Sequence, residues 1–181
     1  SGARIVAMDI SEDSLAAARE SVRSAGFENV EFQQADVYSM AFAPDAFDHV
    51  FVCFVLEHLP RPHEALGRLG RVLKPGGTIT VIEGDHGSAY FHPDSPYARQ
   101  AIRCLIELQA RAGGDSLIGR RLYPLLLDAG FRDVTVSPRM VYVDSSRPQL
   151  VEGFTKNTFT AMVEGVRGRA LGAGLIDEAT W

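Results

Sequence analysis

The chain has 181 residues, enough for one domain with a substantial core. Hydrophobic residues make up 46% and charged residues 23%, the balance of a globular protein, and a net charge of -5 argues against a basic nucleic-acid-binding surface. No apolar run approaches the roughly 20 residues needed to cross a bilayer, and the longest, Val50 to Leu56, is of strand length.

The first apolar run, Ile5 to Met8, ends at Asp9 and reads as a buried parallel strand. Ser11 supplies an N-cap for the next helix, Glu12 and Asp13 suit its positive end, and Gly26 supplies the stop. Leu15, Ala18, Val22 and Ala25 recur between them at helical spacing. A second strand begins at Val30 and runs toward Ala35 and Asp36, and a third covers Phe47 to Phe54. A helix over 62–73 carries Leu66, Leu69, Val72 and Leu73 on one side, and Lys74-Pro75-Gly76-Gly77 breaks it before a fourth strand, Thr78 to Glu83. Strands alternating with helices over short links predict a doubly wound α/β sheet. Beyond it, 84–96 reads as a polar loop, 97–111 and 117–129 as helices, 134–143 as a strand bent at Pro138, and 149–171 as a helix. Cys53 and Cys104 lie far apart without metal-ligand spacing. They read as buried thiols of a reducing compartment, which predicts a cytoplasmic location and no metal site.

In an open parallel sheet, ligands bind beyond the carboxyl ends of the strands. Asp9 ends one strand, where a carboxylate can accept from both ribose hydroxyls of a nucleoside; taken alone, it is equally the acidic residue of a nicotinamide-dinucleotide site. Asp36 ends the next strand, where a carboxylate can accept from an adenine amino group while the Val37 amide faces a ring nitrogen. Either aspartate alone is equally a helix cap or a turn residue, and it is the pair that points to a nucleoside.

Four segments together resemble a known family: Ala3-Arg4-Ile5-Val6-Ala7-Met8-Asp9-Ile10-Ser11, Ala35-Asp36-Val37, Val55-Leu56-Glu57-His58-Leu59-Pro60 and Arg71-Val72-Leu73-Lys74-Pro75-Gly76-Gly77. They look like the class I S-adenosylmethionine-dependent methyltransferases, nearest to the ubiquinone and menaquinone biosynthesis group and other small-molecule methyltransferases. The resemblance covers about residues 3–83. It implies a Rossmann-like sheet of strand order 3-2-1-4-5-7-6, with S-adenosylmethionine as cofactor and helical lid insertions. It further implies that Asp9 holds the ribose, Ile10 packs on the adenine, and Ala35, Asp36 and Val37 read the adenine edge. Cys53, Phe54 and Val55 would line the methionine part, with His58 near the cofactor or the substrate entrance. The resemblance begins at the family's second strand, without the glycine-rich turn that follows the first, and the last hairpin strand is not evident before Trp181. The expectation is therefore a single methyltransferase domain cut at both ends, with two half-sheets facing each other across unpaired backbone edges. Residues 1–83 would form its cofactor-binding half and 84–181 its substrate and lid half.

Methyl transfer from a sulfonium is an in-line displacement, for which the protein aligns donor and acceptor and excludes water. The loop after the fourth strand should overhang the pocket. There His86 is the candidate base, because imidazole titrates near neutrality, with Tyr90 and His92 beside it as substrate contacts. Arg120 or Arg121 could clamp a substrate carboxylate, although such a pair is also a common ion-pair partner, and Tyr123 follows in the same polar segment. The expected partner is a small molecule methylated on O, N or C, with no nucleic acid and no membrane span, and the protein a monomer or homodimer. Two other readings remain open: a nicotinamide-dependent oxidoreductase and a non-catalytic binding subunit.

Overall fold

A computed structural model describes residues 2–181. Strand β1 (Ile5–Asp9) leads into helix α1 (Glu12–Ser24) and strand β2 (Val30–Gln34). The Ser11 hydroxyl accepts from the Ser14 amide at 3.2 Å, and Gly26, at φ 77°, turns the chain away after the helix. β1 and β2 pair in parallel from Ile5 opposite Val30 to Asp9 opposite Gln34, with Leu15 the buried residue of α1.

Strand β3 (Phe47–Cys53) ends in a single 3-10 turn, Leu56–His58, before helix α2 (Pro62–Val72) and strand β4 (Leu73–Ile82). Proline at the first position of α2 costs nothing, since that amide has no intrahelical partner. Ala65, Leu66, Leu69 and Val72 are the buried residues of the helix, at helical spacing. Three of them, Ala65, Leu66 and Leu69, form the main core with Val52, Leu56, Ile118, Leu122 and Leu126. β3 and β4 also pair in parallel, so the described residues contain two two-stranded sheets, β1-β2 and β3-β4. The segment 37–40 ties the two halves together. Val37, Tyr38 and Met40 pack against the main core, and the Arg61 amide donates to the Tyr38 hydroxyl at 3.0 Å.

The Lys74–Gly77 segment is not a turn ahead of a strand starting at Thr78, as the sequence suggested. β4 starts at Leu73, which lies opposite Phe47, and the ladder resumes with His49 opposite Thr78. The intervening residues form a bulge, with Gly76 at φ 77° and Lys74 paired to Asp48 at 2.8 Å across the strands.

Beyond β4 come a 3-10 turn at His86–Ser88, helix α3 (Pro96–Arg111), a 3-10 turn at Ile118–Arg121 and helix α4 (Leu122–Asp128). The single helix expected over 117–129 is split. Pro124 has no amide to give the Arg120 carbonyl, so the α-helical pattern starts only at Leu122. The expected strand over 134–143 is absent, and Val136, Met140, Val141 and Tyr142 are exposed there. A strand requires a neighbouring backbone, and none of the four strands pairs with this segment. The last helical stretch is broken into α5 (Pro148–Leu150), a π-helical segment (Val151–Thr160), α6 (Ala161–Glu164) and α7 (Arg167–Gly172). A second core, Cys104, Ala170 and Ile176, joins α3 to α7. Among the described residues, no helix is long and apolar enough to cross a membrane.

Gly77 allows the bulge to close. A Cβ there would lie 2.9 Å from the Lys74 carbonyl oxygen and 3.1 Å from that of Asp48, both backbone atoms that cannot swing aside. Gly77→Ala should cost about 1–3 kcal/mol, read from the urea midpoint. Gly67→Ala, in the open face of α2 with nothing within 4 Å, should be neutral or gain about 0.5–1 kcal/mol. Equal midpoints for Gly77→Ala and wild type would refute the close-approach explanation.

Candidate functional site

The register of the first sheet sets its chemistry. The Ala35 amide donates to the Asp9 carbonyl at 3.0 Å, which carries the pairing just past the end of β2 and brings Asp9 and Ile10 beside Ala35 and Asp36. The Gln34 side-chain amide reaches the Ile10 carbonyl at 3.0 Å and fixes the same tip. Each aspartate has one oxygen engaged in a local turn: Oδ1 of Asp9 accepts from the Ser11 amide, and Oδ1 of Asp36 from the Tyr38 amide, both at 2.8 Å. These bonds orient each carboxylate and leave its other oxygen outside the local network. Ile10 is 68% exposed, an isoleucine with no protein surface over it, and Val37 sits half-buried against the main core.

The second sheet ends in a denser arrangement. Phe54 follows β3 at φ 52°, its amide donating to the Ile82 carbonyl at 2.8 Å, and the chain then turns through Val55 into the 3-10 turn. Glu83, just past β4, holds that turn from below. Its Oε1 accepts from the amides of Val55 (3.0 Å) and Leu56 (2.8 Å), and its Oε2 from that of Glu57 (3.2 Å). Burial nevertheless raises the Glu83 pKa above the ordinary carboxylate value; the three amides oppose that shift and the charge of Glu57 adds to it. Cys53, expected as a buried thiol, is exposed, whereas Cys104 is buried as expected. Desolvation, then the charge of Glu83, raises the Cys53 pKa. Phe54 and Val55 are 52% and 41% exposed, an apolar surface beside the polar tip.

His86 stands over this tip, with its side chain only 13% exposed. Its amide donates to the Ser116 carbonyl at 2.9 Å, and its ring meets Phe159 of the π-helical segment edge-on, centroids 6.1 Å apart. His58 is 64% exposed, with its Nε2 3.4 Å from Oε1 of Glu57. The remaining candidates lie further out. Tyr90 is 81% exposed, Tyr123 is 51% exposed on α4, and His92 is exposed ahead of Pro93. The two arginines are already engaged. Arg120 makes a two-pronged contact with Asp85, 2.9 and 2.7 Å, and Arg121 reaches Asp115 at 2.5 Å. Burial pushes the Asp85 pKa upward, but the bonds from Arg120 and Ser88 outweigh it and hold the carboxyl below its usual value. The ion-pair role, not a free clamp, describes both arginines in this structure. A separate depression of about 480 Å3 lies against α3 and Leu175, with none of the strand-tip residues in its wall.

Sequence reasoning passed over Glu83 and Glu57. Glu83 had a signal, being an acid at a strand end like Asp9 and Asp36; its partners lie 26–28 residues away and are not visible in sequence. Glu83→Ala should destabilise the chain by roughly 1–3 kcal/mol, because three amides lose a charged acceptor. The raised pKa also means that ionised Glu83 is costlier in the fold than in the unfolded chain, so its contribution weakens as pH rises through the folded value. Glu83→Gln should flatten that part of the pH profile. Denaturant titrations across pH check both outcomes, and a Glu83→Ala midpoint equal to wild type would remove Glu83 as the support of the turn.

The methyltransferase-domain family matches residues 1–81. A transposon-encoded protein of Streptomyces fradiae is 32% identical over 90% of this chain and 46% of its own length. A demethylmenaquinone methyltransferase of Clavibacter sepedonicus is 45% identical over 46% of this chain and 33% of its own. The chain thus spans between a third and a half of the length of these relatives. In three dimensions it superposes on a phosphoethanolamine N-methyltransferase of Haemonchus contortus, solved with S-adenosyl-L-methionine, at a TM-score of 0.59. That match covers 92% of this chain and 39% of the other at 20% identity, a likeness of fold. Residues 1–81 thus match a methyltransferase-domain family, and the chain has the Rossmann-like α/β architecture of S-adenosylmethionine-dependent methyltransferases.

Proposed function

We propose that the chain is the catalytic part of an enzyme that transfers a methyl group from S-adenosylmethionine to an O, N or C atom of a small molecule. The observation that carries this reading is the placing of Asp9 and Asp36 at adjoining strand tips, each with one oxygen oriented by a backbone amide. In the family order 3-2-1-4-5-7-6, β1 and β2 correspond to strands 2 and 3, and β3 and β4 to strands 4 and 5, on either side of strand 1. Two sheets not bonded to each other fit that order. Residues 1–83 then bind the cofactor and 84–181 cover the acceptor.

The residues fit an adenosyl group. Asp9 would accept from the ribose hydroxyls, the exposed Ile10 side chain would pack on the adenine face, and Ala35, Asp36 and Val37 would meet the adenine edge. Cys53, Phe54 and Val55 would border the methionine part, with His58 at the rim. S-adenosylmethionine supplies an electrophilic methyl group on a sulfonium. The protein's contribution is orientation and exclusion of water, and where the acceptor carries a proton, His86 takes it. Tyr90, His92 and Tyr123 line the outer approach. Arg120 and Arg121 reach an acceptor carboxylate only by exchanging Asp85 and Asp115 for it. The nicotinamide alternative has no support in the family matched. A non-catalytic relative would bind the nucleoside and turn nothing over.

Calorimetric titration with S-adenosylmethionine tests the site. Asp9→Ala and Asp36→Ala should each weaken binding about tenfold or more, the loss of roughly 1.5–3 kcal/mol expected for a hydrogen bond to a charged group. His86→Ala should leave affinity unchanged and lower turnover about a hundredfold in a methyl-transfer assay. Wild-type affinity in both aspartate variants would rule out the assignment.

A further inference from the structure

Glu57 is one of the two buried polar residues of the chain's described part, 5% exposed, and its Oε2 has no hydrogen-bond partner. A buried, unpaired carboxylate oxygen is expensive. The backbone around it leaves little freedom to turn away: the Glu57 carbonyl accepts from the Asp115 amide at 2.8 Å and from the Gln109 side chain at 3.0 Å. Oε2 lies 3.9 Å from Nε2 of His86, and Oε1 lies 3.4 Å from Nε2 of His58. Gly84 flanks the buried pair, and a Cβ there would lie 3.4 Å from the His86 nitrogen and 3.5 Å from Oε2. The other charged groups near the pair are engaged elsewhere. Glu83 is bound to the amides of the turn, and Asp85 beside His86 is held by Arg120.

We propose that Glu57 is a positioning residue for His86, its carboxylate fixing the ring with the hydrogen on Nε2 and the lone pair on Nδ1. An ionised carboxylate has only acceptor sites, and a neutral imidazole has one N–H and one lone pair. Whichever nitrogen faces the acceptor carries the hydrogen. At 3.9 Å the contact is longer than a hydrogen bond, as such contacts often are before a reaction complex forms. Nδ1 is buried and receives no hydrogen bond from any described residue. Its lone pair is therefore claimed by no donor among the described residues, and a proton leaving the methyl acceptor reaches it only once the tip opens and uncovers it. In the transfer, the acceptor atom bonds to the methyl carbon, the methyl–sulfur pair returns to sulfur, and the acceptor's proton goes to Nδ1. The imidazolium so formed faces the Glu57 carboxylate. This inference rests on the methyl-transfer reading for its purpose, but not for its test.

Long-range proton–nitrogen correlation spectra of the histidine-labelled protein, taken without cofactor or acceptor at a pH where the ring is neutral, report which nitrogen of each ring carries hydrogen. His86→Gln identifies the His86 signals. Wild type should show the Nε2–H form. Glu57→Gln, whose amide can donate to Nε2, should shift His86 toward Nδ1–H, a change that simple loosening of the fold would not produce. In a turnover assay Glu57→Gln should lower kcat about a hundredfold and leave the affinity for S-adenosylmethionine unchanged. An Nδ1–H ring in wild type, or the same tautomer in both proteins, would overturn the proposal. If Glu57→Gln does not fold, an Nδ1–H ring in wild type still overturns the proposal. Because the spectra need no methyl donor, their failure leaves the proposed activity standing, and loss of that activity leaves the tautomer result intact.

Discussion

The amide of Ala35 donates to the carbonyl of Asp9 at 3.0 Å, and that bond decides where two acids end up. Parallel pairing delivers both chains to the same edge of the sheet, so whatever follows β1 lies beside whatever follows β2. Asp9 and Asp36 both fall there, each turned by a neighbouring amide. A shift of the register by one residue would move every side chain of β2 to the opposite face and separate them. The nucleoside reading is thus a consequence of strand register before it is a statement about side chains.

The second sheet solves the same problem by a different means. Its tip is held by Glu83, which gathers three amides of the turn after β3, and by α2, whose apolar stripe anchors the turn from the other side through Leu56. Stability is uneven between the halves. The main core gathers around β3, α2 and α4, whereas α1 buries only Leu15 against β1 and β2. Tyr38 bridges the two, with its ring under the Arg61 guanidinium at 4.6 Å and its hydroxyl bonded to the Arg61 amide. Through that tyrosine, the Asp36 turn takes its position from the better-packed half.

Local patterns made much of this visible in the sequence. The β-branched run ending at Asp9, the Ser11 cap and the Pro62 start are each specified within a few residues, and each is found where expected, although β1, read as a buried strand, has exposed ends and a half-buried middle. The failures share a cause. The 134–143 segment alternates like a strand, but a strand exists only if another backbone pairs with it, which no local pattern reports. Pro124 was legible as a breaker and should have split the helix at 117–129. The bulge at Lys74–Gly77 depends on which residue of β3 lies opposite, and Glu83, Glu57 and the two arginines depend on partners many residues away. Charged side chains advertise chemistry in a sequence; whether an ion pair already occupies them is a tertiary fact.

The central claim is that one nucleoside lies across the tips of β1 and β2. Amide proton–nitrogen spectra recorded during titration with S-adenosylhomocysteine test it most directly, since that molecule binds without reacting. The account predicts saturable shifts, with a single dissociation constant, at Ile10, Ala35, Asp36 and Val37. Saturable shifts confined to other residues, or none at all at these four, would contradict it.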